Sequence, residues 1–247
     1  MAPTEKRFLT AEWRDLVMLN YEVEPRILEK YVPSRTTLDA FQGKTYVSLV
    51  GFRFCRTKLF GALPIPFHAD FDEVNLRFYV SRKEGGEVRR GVVFIAEIVP
   101  KWAVATTARV CYGENYVCMP MRHEVSIDDG KIAAKYEWRV GKDWCSLTAE
   151  ASGEPELPRE GSLEQFITEH YWGYTARKDG GSLEYHVAHV PWCVWASTKA
   201  GFAGDASGLY GVELGNVLQG PASSAFITEG SEVTVFRGNF VRTSSSQ

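Results

Sequence analysis

Glu73–Val80 reads EVNLRFYV. Val74, Leu76, Phe78 and Val80 take one set of alternating positions, and Glu73, Asn75, Arg77 and Tyr79 take the other. Successive strand side chains point to opposite faces, so this spacing predicts a β-strand with one wholly apolar face. The polar set reads either as a solvated face or, in a closed sheet, as the lining of a polar cavity. Upstream, Thr45–Cys55 (TYVSLVGFRFC) is apolar on both alternating sets, as a strand covered on both sides must be. Downstream, Gly91–Val99 is a second buried strand. Lys131–Val140 turns Ile132, Ala134, Tyr136 and Trp138 inward, and Gly141-Lys142 leads into Trp144–Ala151 as a hairpin. Leu183–Val190 and Glu232–Arg237 complete the predicted strands.

Helical signals are fewer. Pro25 suits a first helical position ahead of Ile27, Leu28 and Tyr31; Trp102–Tyr112 is rich in Ala and Thr; Ser162 and Gln165 form a capping box opening Ser162–Trp172. Many strands with a few interrupting helices imply a strand-rich α+β protein on a curved antiparallel sheet or β-barrel. The 247 residues carry no repeat and no long linker; SGEPELPREG (Ser152–Gly161) reads as a connection inside one domain spanning 1–247, with the ordered core over 11–240. The first residues and the Thr243–Gln247 tail are expected to be disordered, and Ala200–Gly215 is expected to be a mobile loop.

Composition narrows the function classes. Hydrophobic residues at 45% exclude a disordered chain, and 28 basic against 31 acidic residues leave no basic run for nucleic acid or an anionic membrane. No stretch approaches the ~20 apolar residues of a membrane-spanning helix, and the polar start lacks a signal-peptide core. Cys55, Cys111, Cys118, Cys145 and Cys193 form no C-x-x-C pair, so reduced thiols in a cytoplasmic protein with no metal or other cofactor are expected.

Two charged residues sit in apolar surroundings. Arg109 is the one charge in WAVATTARVCYG, and a guanidinium cannot shed its proton, so burial demands an anion. Glu97 shares alternating positions with Val93, Ile95 and Val99. A structural Arg109–Glu97 ion pair would satisfy both; alternatively Arg109 receives a ligand carboxylate and Glu97 is a general acid or base. Lys101 lies four residues beyond Glu97, ~13 Å along an extended strand, out of pairing range. His68 reads as a loop residue, and His170, His186 and His189, each beside aromatics, as packed or rim histidines.

The runs MLNYEVEPRILEKYVP, TYVSLVGFRF, FDEVNLRFYV, ARVCYGENY and EHYWGY resemble the YqjF-like family of uncharacterised proteins, grouped with the acetoacetate decarboxylase-like superfamily. The resemblance runs from Trp13 to the strand near Val235 and implies a curved barrel or cone with a central cavity and flanking helices. Acetoacetate decarboxylases form a Schiff base on a lysine whose pKa an adjacent lysine depresses. Their Arg-Glu…Pro-Lys-Lys motif falls on Arg109, Val110, Asn115, Tyr116 and Val117, so the arginine is kept and the nucleophile becomes a phenol that cannot form an imine. A superfamily arginine is matched by Arg14, and Ser48 lies where pocket residues are placed. The resemblance therefore implies a small anionic or carbonyl-containing ligand held by Arg109, Tyr116, Arg14, Glu97 and Ser48, with the catalytic residues unassigned and assembly into a homo-oligomer left open. The competing readings are a Schiff-base decarboxylase or aldolase-like enzyme using Lys101, and a non-catalytic interaction protein with a filled barrel.

Overall fold

The computed structural model describes residues 6–61, 63–64 and 69–242; His68 and the tail from Thr243 lie outside the described residues. In chain order the elements are β1 (Arg7–Val23), α1 (Pro25–Leu28), a 3₁₀ turn, β2 (Thr37–Leu38), β3 (Thr45–Leu59), β4 (Leu63–Pro64), β5 (Phe71–Glu84) and β6 (Glu87–Val99). Next come α2 (Trp102–Tyr112), β7 (Tyr116–Cys118), β8 (Met121–Asp128), β9 (Lys131–Val140), β10 (Asp143–Ser152), α3 (Leu163–Thr168), β11 (Trp172–Ala176) and β12 (Ser182–Ala188). The chain continues through β13 (Trp195–Ala203), α4 (Ser207–Tyr210), α5 (Val212–Gln219), β14 (Ser224–Phe236) and β15 (Asn239–Val241).

The strands run β14–β1–β3–β5–β6–β11–β12, and β12 pairs back onto β14 through Val187↔Val235 and Ala188↔Thr234, closing a ring. From β14 the sheet continues through β13, β10, β9 and β8. Its Tyr136, Trp138 and Leu147, with Leu214 and Leu218 of α5, pack with Val17, Leu49, Leu76 and Phe78, side chains on the outer faces of the ring strands. At ~1.5–3 kcal/mol per fully buried large apolar side chain, this layer is the main stabilising contact of the fold. A Cβ at Gly51 would stand 2.7 Å from the Tyr136 ring, so β3 can lie flat against β9 only with glycine there. Inside the ring a second cluster gathers Leu16, Met18, Val50, Phe52, Phe54, Phe71, Val92 and Trp192.

Two β-bulges switch which residues look inward. In β6, Leu76 faces Ala96 but Arg77 faces Phe94, leaving Ile95 as the extra residue. Ile95 and Ala96 both join the outer core, while Glu97 turns to the interior with Val92 and Phe94. Asn115 pins the bulge: its Nδ2 donates to the Ile95 carbonyl at 3.3 Å, and its own carbonyl accepts from Glu97 N–H at 3.1 Å. In β1 the bulge falls at Asp15, a residue with φ 57°, held by Arg53 Nη1 on its carboxylate (3.0 Å) and the Tyr136 hydroxyl on its carbonyl (2.8 Å). Trp13 before it and Leu16 and Met18 after it therefore share the interior.

The expected strands are present, with differences. The sheet is not purely antiparallel: β6 pairs in parallel with β7 and with β11. β1 carries no steady alternation because of its bulge. β8 is an exposed, charged edge strand with little apolar signal, the form that discourages edge-to-edge association. Ala200–Gly215 holds the end of β13 and all of α4 rather than one loop. The Ser162 cap is formed, its Oγ accepting from Gln165 N–H at 3.2 Å, but α3 stops at Thr168 instead of reaching Trp172.

Candidate functional site: a cavity with a polar wall

The ring strands line a cavity of about 200 Å³. That is room for a small molecule. Trp13, Phe52, Phe54, Phe71, Phe94 and Trp192 give it an aromatic side. Glu73, Asn75 and Arg77 from β5, Glu97 from β6, Glu114 and Tyr116 from the α2–β7 segment, and His170 give it a polar one. α2 lies along the wall with Ala103, Val104, Thr107 and Ala108 against the cavity, while Trp102 (71% exposed) and Val110 (80%) face outward.

The alternating polar face of β5 thus lines a cavity. Arg77 is buried (8% exposed); its Nη2 donates to the Ile167 carbonyl at 3.3 Å and lies 3.7 Å from Met18 Sδ, while Nε has no partner among the described residues. Glu73 Oε1 accepts from Asn75 Nδ2 and Oε2 from the Tyr116 hydroxyl, each at 2.9 Å. Glu114 Oε1 accepts from Thr175 Oγ1 at 2.6 Å and from the Tyr185 hydroxyl at 2.9 Å. Glu97 (2% exposed) touches the Tyr116 hydroxyl and leaves Oε2 without a partner.

Burial raises all three carboxyl groups, Glu73 and Glu114 to about 7 and Glu97 well above the usual range, where the charges of Glu114 and Glu73 add to desolvation. Glu97 is therefore the most strongly protonated of the three at neutral pH. His170 Nε2 lies 3.1 Å from Asp39 Oδ2, which also accepts from Arg90 Nε at 2.7 Å. Desolvation pushes the His170 imidazole down to about 4, against the pull of Asp39, so the ring is neutral and its Nδ1 is unpartnered.

Among the described residues, buried polar atoms without a partner concentrate on this wall. Trp13 Nε1, Thr57 Oγ1, Asn75 Oδ1, Arg77 Nε, Glu97 Oε2 and His170 Nδ1 belong to lining residues; Trp138 Nε1, Ser197 Oγ and Tyr210 Oη lie elsewhere. Native proteins leave few such atoms, and each costs ~1–3 kcal/mol, so their clustering among the lining residues sets this wall apart from the rest of the interior.

Tyr116 and Glu97 meet at the cavity, neighbours through the parallel β6–β7 register. Arg109 does not join them. It is exposed on the outer side of α2, and its Nε donates to the Tyr116 carbonyl at 2.7 Å, so it forms no ion pair with Glu97 and does not line the cavity. The cavity face of α2 is set by residues 103, 104, 107 and 108, which puts 109 on the opposite side at 100° per residue. Arg14 pairs with Glu12 at 2.9 Å away from the cavity wall. Ser48 is buried, but hydrogen-bonded to Asn20 (2.6 Å) and to the Tyr79 hydroxyl rather than lining the cavity. Lys101 precedes α2, and no lysine lines the cavity among the described residues. No group of three His, Cys, Asp or Glu side chains among the described residues is placed to hold a metal ion. Arg77 was legible only as part of a polar β5 face open to two readings, and Glu114 is the lining residue that the sequence left unmarked.

The architecture is a strand-rich α+β fold similar to that of acetoacetate decarboxylase-like proteins. Acetoacetate decarboxylase from Legionella pneumophila superposes with a TM-score of 0.68 at 12% identity over 97% of this chain and 89% of its own. The enduracididine biosynthesis enzyme MppR in complex with pyruvate gives 0.66 at 12% over 98% and 92%. An acetoacetate decarboxylase-like enzyme from Sphingomonas wittichii RW1 gives 0.64 at 11% over 95% and 92%. The chain belongs to the DUF2071 family, described as an uncharacterized conserved protein, which matches residues 10–230. It is also 25% identical over 181 residues to the uncharacterized protein YqjF of Bacillus subtilis (strain 168), covering 73% of this chain and 72% of the relative.

Proposed function

We propose that the chain binds a small carboxylate carrying a carbonyl group inside a closed β-barrel, with Arg77 holding the carboxylate and without Schiff-base chemistry. The observation that carries this reading is the buried Arg77 guanidinium on the cavity wall, with an unpartnered Nε and no carboxylate paired to it among the described residues. A buried cation in that state costs several kcal/mol, and a ligand anion making two N–H···O bonds offsets it. The aromatic side accepts the apolar remainder of the molecule. A pyruvate complex of the structural relative MppR supports a ligand of this size and class. Imine formation needs an uncharged amine at the cavity, and the wall offers phenols and carboxyls instead.

The test is thermal denaturation with small 2-, 3- and 4-oxo acids. A ligand at 100 times its Kd adds about 2.7 kcal/mol, a shift of roughly 5–10 °C for a chain of this size. The shift is expected in wild type and in Arg109→Ala and absent in Arg77→Met, which loses a buried unpaired charge and keeps its urea midpoint. Equal shifts in wild type and Arg77→Met refute the assignment. Borohydride with the same acids is expected to leave the protein mass unchanged; an adduct on Lys101 would overturn the exclusion of imine chemistry.

A further inference from the structure

The polar wall holds more than an anion site requires. Glu73 receives two hydrogen bonds, from Asn75 Nδ2 and the Tyr116 hydroxyl, and offers none, the pattern of an ionised carboxylate held in one orientation. Glu97 faces the same cavity with Oε2 unpartnered, and burial with the charges of Glu114 and Glu73 favours its protonated form. The Tyr116 hydroxyl contacts both. One oriented acceptor, one proton-bearing donor and a hydroxyl between them therefore share a wall with Arg77.

We propose that Glu73, Tyr116 and Glu97 form a proton-transfer site that enolises the carbonyl ligand, giving the chain a keto–enol tautomerase activity. This rests on the binding mode proposed above, with the ligand carboxylate on Arg77. The Glu73 carboxylate removes a proton from the carbon next to the carbonyl. The C–H electron pair becomes the new C=C bond, the carbonyl π pair moves onto oxygen, and that oxygen takes the Glu97 proton. The site then holds a protonated Glu73 and an ionised Glu97. Tyr116 resets it by giving its own proton to Glu97 while accepting the one on Glu73. No oxidant, metal or co-substrate enters the balance. Return of a proton to the same carbon regenerates the ketone, with solvent hydrogen once the proton on Glu73 has exchanged. Glu114 keeps its carboxylate occupied by Thr175 and Tyr185, and its charge holds the proton on Glu97. Every reacting group belongs to the wall, so the activity needs no mobile segment.

The experiment is proton NMR in D₂O with 2-oxobutanoate, 3-oxobutanoate and 4-oxopentanoate, following loss of the signals next to the carbonyl. At least one acid is expected to exchange tenfold or more above buffer. Tyr116→Phe and Glu97→Gln are expected to reduce that rate at least tenfold in kcat while their urea midpoints stay within the folded range; Arg109→Ala is expected to exchange at the wild-type rate. If an acid raises Tm through Arg77 yet exchanges no faster than in buffer, the proton-transfer proposal is overturned and the binding reading stands. If none of the acids raises Tm or exchanges, the binding reading itself falls. Exchange accompanied by a borohydride-trapped lysine adduct overturns the proposal in favour of an imine.

Discussion

Glu73→Gln separates a buried, titrating carboxyl from a merely polar one. The Glu73 carboxyl is raised from the ordinary 4.5 to about 7 by desolvation, which outweighs the opposing hydrogen bonds from Asn75 and Tyr116 and the charge of Arg77. A folded value above the unfolded one means that folding favours the protonated form. Its contribution is complete below pH ~4.5 and is lost as pH rises through ~7, because the unfolded chain then ionises freely and the folded chain does not. The interval amounts to about 3 kcal/mol at ~1.36 kcal/mol per unit. Glutamine cannot ionise and lacks the second acceptor oxygen, so it costs ~1 kcal/mol at all pH values through one lost hydrogen bond. The stability of Glu73→Gln relative to wild type is thus expected to climb by about 3 kcal/mol between pH 4.5 and 8.5, crossing from less to more stable. Loss of the Glu73 charge also eases ionisation of Glu97 and Glu114, which it raises, and this adds in the same direction. Urea unfolding followed by tryptophan fluorescence at constant ionic strength measures both curves. Parallel curves, differing by a pH-independent offset alone, would refute the claim that this carboxyl is buried in an uncompensated site.

Three further outcomes are expected. His170, lowered from 6.5 to about 4, contributes stability that is present above pH ~6.5 and lost as pH falls through ~4; nitrogen-detected NMR should show a neutral ring protonated on Nε2 at pH 5.5, and a midpoint near 6.5 would contradict its burial against Asp39. Gly51→Val should destabilise by ~1–3 kcal/mol or more in denaturant, since its Cβ would stand 2.7 Å from Tyr136 Cδ2 and 3.0 Å from Leu147 Cδ2. Arg109→Ala should cost under ~1 kcal/mol, as its side chain makes an exposed bond to the Tyr116 carbonyl; a larger loss would show that this bond holds α2 over the cavity.

Much of the sheet was legible from alternation. Val74, Leu76, Phe78 and Val80 mark the outer face of β5 because the strand carries no interruption, and Glu73, Asn75 and Arg77 follow onto the inner face by parity alone. Glu97 was placed in the wrong row for a definite reason. Counting by twos from Val93 passes through Ile95, but the extra residue at Ile95 moves Glu97 across the sheet, and the cause is Asn115, eighteen positions further on in sequence, bonding the Ile95 carbonyl. The same holds for Trp13 and Leu16 across Asp15. Arg109 was misread because WAVATTARVCYG is apolar nearly all round. Composition then says that the helix is covered but not from which side, and the structure leaves Trp102 and Val110 exposed there.

The charge balance of the cavity constrains any ligand more sharply than its volume does. With Glu97 protonated and Glu73 and Glu114 each about half ionised near pH 7, Arg77 leaves the wall close to neutral, so a carboxylate ligand makes it net negative unless a proton accompanies it. Glu73 and Glu114, both near 7, are the groups able to take that proton. An arriving anion raises both further, so binding near neutral pH is expected to draw a proton from solution. Calorimetry in buffers of different ionisation enthalpy measures the uptake directly. Between half and one proton per ligand is expected at pH 7 and about one at pH 8, falling toward zero at pH 5, where the carboxyls are already protonated. In Glu73→Gln the uptake should drop without vanishing, because Glu114 remains. Binding of an oxo acid with no proton uptake at pH 8 would mean that its charge meets Arg77 alone, out of reach of the carboxyls, and the acid–base wall and the anion site would then have to be two separate places.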